Sequence, residues 1–98
     1  MIKAEKSIYK LALEHWGMSS QVSMAMGECG ELIAALNQFF TQKKGTKEDV
    51  ITEIADVEIM CAQLRIIVGS DLVDKEKEKK LERLRGILSG EIEHPHNN

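Results

Sequence analysis

A chain of 98 residues holds one small domain, and a core of that size gains from association with a second copy. A formal net charge of −3, from 13 Lys and Arg against 16 Asp and Glu, argues against nucleic-acid binding by bulk positive charge. No apolar run approaches the roughly 20 residues of a membrane span. The opening M-I-K-A-E-K has no signal-peptide core either, so the expected address is the cytoplasm.

Residues 2–15 read as a first helix, with Ile8, Leu11 and Ala12 along one side and Gly17 as its stop. Trp16, the one tryptophan, is either core filler or a surface on which a base stacks. A second helix is expected to start at Ser19 or Ser20, both good N-caps, and to run to about Gln42. Val22, Ala25, Met26, Cys29, Leu32, Ile33, Leu36 and Phe40 form its expected buried arc. Cys29 and Cys61 both fall at apolar helical positions and read as reduced core residues. Ser23, Gly27, Gly30 and Ala34 make a separate stripe of small residues. Two mid-helix glycines cost about 1 kcal/mol each relative to alanine. Close approach of another helix, or of a ligand, would account for them.

Lys43-Lys44-Gly45-Thr46 breaks the pattern, with Gly45 suited to a helix C′ position. Thr46 and Asp49 resemble a capping box. Lys43, Lys44 and Lys47 make the turn basic, as a solvated loop or as a phosphate contact. A third helix is expected over 47–68, ended by Gly69. It carries one apolar stripe of Val50, Ile54, Val57, Cys61, Leu64 and Val68, and a second of Ala55, Ile59, Ala62 and Ile66. A helix apolar on two sides is buried on two sides. A fourth helix, about 71–89 and capped by Ser70 or Asp71, is densely charged with sparse leucines. The tail from about Glu91 reads as frayed, and the His94/His96 pair within it as incidental. The expected fold is all-α: one domain over residues 1–98, a helical bundle on a central antiparallel hairpin, completed by oligomerisation.

Two acidic pairs interrupt the apolar pattern: Glu28/Glu31 on the second helix and Glu53/Asp56 on the third. Each is spaced i, i+3, so each shares a helix face. A hairpin brings all four together, where they repel and raise one another's pKa unless a cation lies among them. Oxygen-only ligands suit a hard cation, Mg²⁺ or Mn²⁺. Other chemistries lack parts. No Glu-x-x-His pair supports a di-iron bundle, and there is no P-loop, no Cys/His zinc spacing and no evident triad. Carboxylates, a divalent cation and nearby Lys and Arg suit work on a phosphate ester.

Glu28-Cys-Gly-Glu31-Leu followed by Glu53-Ile-Ala-Asp56-Val resembles the E-x-x-E…E-x-x-D signature of the MazG-like all-α nucleoside triphosphate pyrophosphohydrolases, a group related to dimeric dUTPases and dCTPases. The resemblance covers roughly residues 17–85. Lys80-Leu81-Glu82-Arg83 is similar to the K-F-x-R segment on the last helix of that group. Glu78 stands where its members often carry an asparagine. The resemblance implies hydrolysis of an NTP or dNTP to the monophosphate and pyrophosphate. Glu28, Glu31, Glu53 and Asp56 would hold Mg²⁺ and serve as the catalytic carboxylates. Lys80 and Arg83 would bind phosphates, and the assembly would be a homodimer or tetramer. Gln21, two turns before Glu28, is a candidate base or sugar contact beside Trp16. The competing reading is a non-catalytic helical adaptor or nucleotide-binding module whose acids hold a structural cation.

Overall fold

The computed structural model describes residues 3–91, with side chains from Ile8 onward. The tail histidines His94 and His96 lie outside the described residues. Among those described, the protein is all-helical, with no strand: α1 (Lys3–Trp16), α2 (Met18–Leu36), a π-helical turn (Asn37–Thr41), α3 (Lys47–Val68) and α4 (Ser70–Ser89). No helix is long and apolar enough to cross a membrane. The chain divides into two compact units, Met1–Ile67 and Val68–Asn98.

In the first unit, Gly17 links α1 to α2 without a spacer. Its N–H donates to the Leu13 carbonyl (2.9 Å), and its own carbonyl accepts from Gln21 N–H (3.1 Å). This double use requires φ +89°, which a glycine takes without steric cost. Gly17 is therefore the N-cap of α2, and Ser19 and Ser20 fall inside the first turn rather than capping it. A serine cap would need two further non-helical residues, and the link has none.

The end of α2 widens into the π-helical turn, where Gln42 N–H donates to the Asn37 carbonyl (2.9 Å). Lys43, not Gly45, takes the first left-handed position (φ 58°), and Gly45 follows at φ 75°. The expected capping box is present. Asp49 N–H donates to Thr46 Oγ1 and Thr46 N–H donates to Asp49 Oδ2, both at 3.1 Å. The third helix then spans the expected residues.

The buried side of α2 differs from the expected arc. Gln21, Ala25 and Ala35 are buried, with Glu28 and Leu32 partly so between them. These positions alternate in steps of four and three, the spacing of a coiled-coil seam. On α3 the matching seam is Val50, Glu53, Val57, Met60 and Leu64, with Gln63 buried beside it. Met26, Cys29, Ile33, Leu36 and Phe40 face outward, and Cys61 is exposed too. Both cysteines are free thiols as expected, but neither is in the core.

The second unit is dominated by α4. Gly69 (φ +112°) caps it in place of Ser70 or Asp71, accepting from Leu72 and Val73 N–H groups (3.1 and 3.2 Å). Gly90 closes it in the left-handed conformation, with Glu91 N–H donating to the Gly86 carbonyl (2.9 Å).

Candidate functional site

Two cross-helix contacts position the site. Gln21 Nε2 on α2 donates to Gln63 Oε1 on α3 at 2.8 Å. Seven residues on along α2, Glu28 meets Glu53 and Asp56, ten and seven residues back along α3 from Gln63. One carboxylate oxygen from each of Glu28, Glu53 and Asp56 lies within 4.8 Å of the other two, and all three residues are partly buried. Both acidic pairs thus converge, one from each helix.

Glu31 is not a member of this close triad. It stands beside Glu28 on the same helix face, and hydrogen bonding between the two carboxyls is the largest cause that lifts Glu28 to a pKa of about 7. Desolvation comes next, followed by hydrogen bonding with Asp56 and repulsion from both neighbours. Glu53 is also raised, first by desolvation and then by repulsion from Glu31, Asp56 and Asp49. Glu53 Oε1 is shut off from solvent without a hydrogen-bond partner among the described residues. A raised carboxyl beside an orphaned carboxylate oxygen marks an excess of acceptors over donors. An oxygen-ligated divalent cation would satisfy that excess, so the donor set fits Mg²⁺ or Mn²⁺.

An open groove of about 610 Å³ borders the cluster on the α2 side, lined by Ser20, Ser23, Met24, Gly27, Glu28 and Glu31. A Cβ added at Gly27 or Gly30 would meet nothing within 4 Å. The close helix packing expected at these glycines is therefore not made among the described residues, and the groove is open on that side.

Trp16 and Gln21 are not members of the triad. Trp16 is 60% exposed at the end of α1, with the His15 ring edge-on at 4.7 Å. Gln21 is 4% exposed and its Nε2 is committed to Gln63. Lys80 and Arg83 belong to the second unit. Lys80 sits 3.8 Å from Glu76, an exposed pair of small energetic worth. Glu78 is held by Arg85 at 2.7 Å. Gln63 is the residue that sequence reasoning passed over. Its signal was a lone amide in α3, seven residues beyond Asp56. No protein-family model, curated protein or solved structure matches this chain.

Proposed function

We propose that the chain is a Mg²⁺-dependent nucleoside triphosphate pyrophosphohydrolase of the MazG-like kind, releasing pyrophosphate and a nucleoside monophosphate. The observation that carries this reading is the convergence of Glu28, Glu53 and Asp56 within 4.8 Å, with Glu31 adjoining. Glu28, Glu31, Glu53 and Asp56 would hold the cation. Such a cation would supply Lewis acidity and charge neutralisation for chemistry on a phosphate. The carboxylates themselves would orient the water and accept its proton. The open groove beside Glu28 and Glu31 would admit the nucleotide. Lys80 and Arg83 would neutralise phosphate charge, and the free face of Trp16 is available for a base.

The proposed architecture is a bundle built on an antiparallel α2–α3 hairpin and completed by a second copy. The opposite numerical sense of the Gln21–Gln63 and Glu28–Asp56 contacts supports the hairpin. The exposed apolar side of α2 supports the second copy. The competing reading keeps the cation but drops turnover, leaving a nucleotide-binding or adaptor module.

Pyrophosphate release across a panel of NTPs and dNTPs with Mg²⁺ separates the two readings. Glu53→Gln and Asp56→Asn are each expected to lower turnover at least a hundredfold while leaving the helical signal intact. Full Mg²⁺-dependent activity in both variants would remove these residues from the site. Mg²⁺ or Mn²⁺ binding without pyrophosphate release from any nucleotide would favour the module.

A further inference from the structure

Helix α2 carries two seams of equal spacing, one residue apart. Gln21 and Glu28, which meet Gln63 and the Glu53/Asp56 pair on α3, share one seam with Ala25, Leu32 and Ala35, and Val22, Met26, Cys29, Ile33 and Leu36 stand next to them around the helix. The second seam is far more apolar, yet Met26 is 65% and Ile33 68% exposed. Turning α2 by one residue, about 100° about its axis, would bury the apolar seam against α3 and carry Glu28 out of the cluster. Burial of apolar surface favours that turn. So does the mutual repulsion of the carboxylates it would separate. Some specific contact must oppose it.

We propose that the Gln21–Gln63 amide pair is a rotational lock that holds α2 in the orientation presenting Glu28 to Glu53 and Asp56. It is a buried side-chain hydrogen bond between the two helices, made by uncharged groups, and both amides are 4% exposed. If α2 turned, both would lose their partner in a buried or newly buried setting, a penalty that falls on the rotated state alone. The pair is not optimised for stability, because Gln21 Oε1 is buried with no partner among the described residues. A polar pair retained in a helical seam at a cost in stability is the known means of selecting one arrangement among several. Position strengthens the argument. The short turn at 42–46 constrains one end of the pair of helices, and Gln21–Gln63 lies toward the other, with the carboxylates between. Gln21 and Gln63 are thus positioning residues. Their consequence for hydrolysis rests on the reading above, whereas the lock itself requires neither metal nor nucleotide.

Distance measurement by pulsed electron resonance tests the lock in the full-length chain. Spin labels go on Ser20→Cys and Glu58→Cys, both exposed positions, with Cys29 and Cys61 replaced by alanine. Labelled chain is diluted in unlabelled chain, so only distances within one molecule are read. With the amides intact, a single narrow distance is expected. In the Gln21→Leu/Gln63→Leu double variant, a population displaced by several ångströms is expected. A 100° turn moves a side-chain tip about 8 Å on a helix of ordinary radius. Thermal stability of the double variant should equal or exceed that of the parent, since two buried amides become apolar. A folded double variant that keeps the parent distance as one narrow population would overturn the proposal. So would a double variant that fails to fold by circular dichroism, because the pair would then be a source of stability and not a selector. A displaced distance with no pyrophosphate release from any nucleotide would support the lock and sink the hydrolase reading separately.

Discussion

Glu28 is the residue at which the fold and the proposed chemistry meet. Its carboxyl is raised from 4.5 to about 7 by Glu31, desolvation and Asp56, so the folded, metal-free protein holds a proton that the unfolded chain has released. Because the folded pKa is the higher one, the stabilisation is complete below about 4.5 and is lost as pH rises through 7. Glu53 shifts in the same direction and adds to the trend. Thermal unfolding in chelator should therefore give a Tm that falls between pH 5 and pH 8, and Glu28→Gln should flatten that fall. Mg²⁺ or Mn²⁺ should reverse the trend, because the cation favours ionised ligands and displaces the proton. Calorimetric titration with Mn²⁺ at pH 6.5 in two buffers of different ionisation enthalpy would count the protons released, and none released would contradict a site at Glu28. Arg83 belongs to the same scale. No ion pair is seen for it among the described residues, unlike Arg85, which Glu78 and Glu82 hold at 2.7 and 2.8 Å. A charge-assisted phosphate contact carries about 1.5–3 kcal/mol. Arg83→Ala should then lower kcat/KM at least tenfold with the helical signal unchanged, whereas Arg85→Ala should disturb mainly the exposed face of α4. Equal kcat/KM in the Arg83 variant would return that residue to a solvated helix face.

At the scale of the elements, local chemistry was legible and burial was not. The reciprocal Thr46–Asp49 hydrogen bonds start α3 at the residue their spacing implied, and Gly90 ends α4 in the left-handed form. These are contacts between near neighbours in sequence, so sequence alone specifies them. Thr46→Ala removes the acceptor of the Asp49 N–H and should cost about 1 kcal/mol, seen as a lower urea midpoint with an unchanged slope. No change in midpoint would mean that the start of α3 is held by tertiary packing instead. The acidic pairs were legible for a similar reason, since i, i+3 spacing places two carboxyls on one face whatever the fold. The burial of α2 was not. Hydrophobicity singled out Met26, Ile33 and Phe40 along with Ala25 and Leu32, whereas the seam that is buried keeps only Ala25 and Leu32 of these and adds Gln21, Glu28 and Ala35. Two seams of identical period differ only in rotation, and rotation is decided by the partner helix. The caps of α2 and α4 were misplaced for a related reason. Gly17 and Gly69 each serve as stop and start at once, which leaves no room for a serine cap.

At the scale of the molecule, the apolar side of α2 sets the problem that the proposed assembly answers. Ile33 is 68% exposed and Phe40 59%, and both lie along the same outward seam as Met26. Contiguous apolar patches of more than a few hundred Å² are rare on soluble monomers. The small-residue stripe Ser23/Gly27/Gly30/Ala34 lies farther round the same helix, with open space beside both glycines. A two-fold contact through the apolar seam would cover it with the same seam of a second copy, and the glycines would permit close approach at its margin. Ile33→Glu discriminates sharply between a monomer and an assembly. On a monomer it replaces an exposed apolar side chain by a polar one, a change within about 0.5 kcal/mol of neutral. In an assembly it puts a charge from each copy into the contact, where desolvation and like-charge repulsion both oppose association. Light scattering should therefore report a multiple of 11.0 kDa for the parent protein and 11.0 kDa for Ile33→Glu, with loss of turnover if neighbouring chains complete the site. A parent protein that is monomeric and active at micromolar concentration would refute the assembly. An Ile33→Glu variant that keeps the parent mass would move the contact off this face, leaving the α3 stripe of Ile59 and Ile66 as the surface to mutate next.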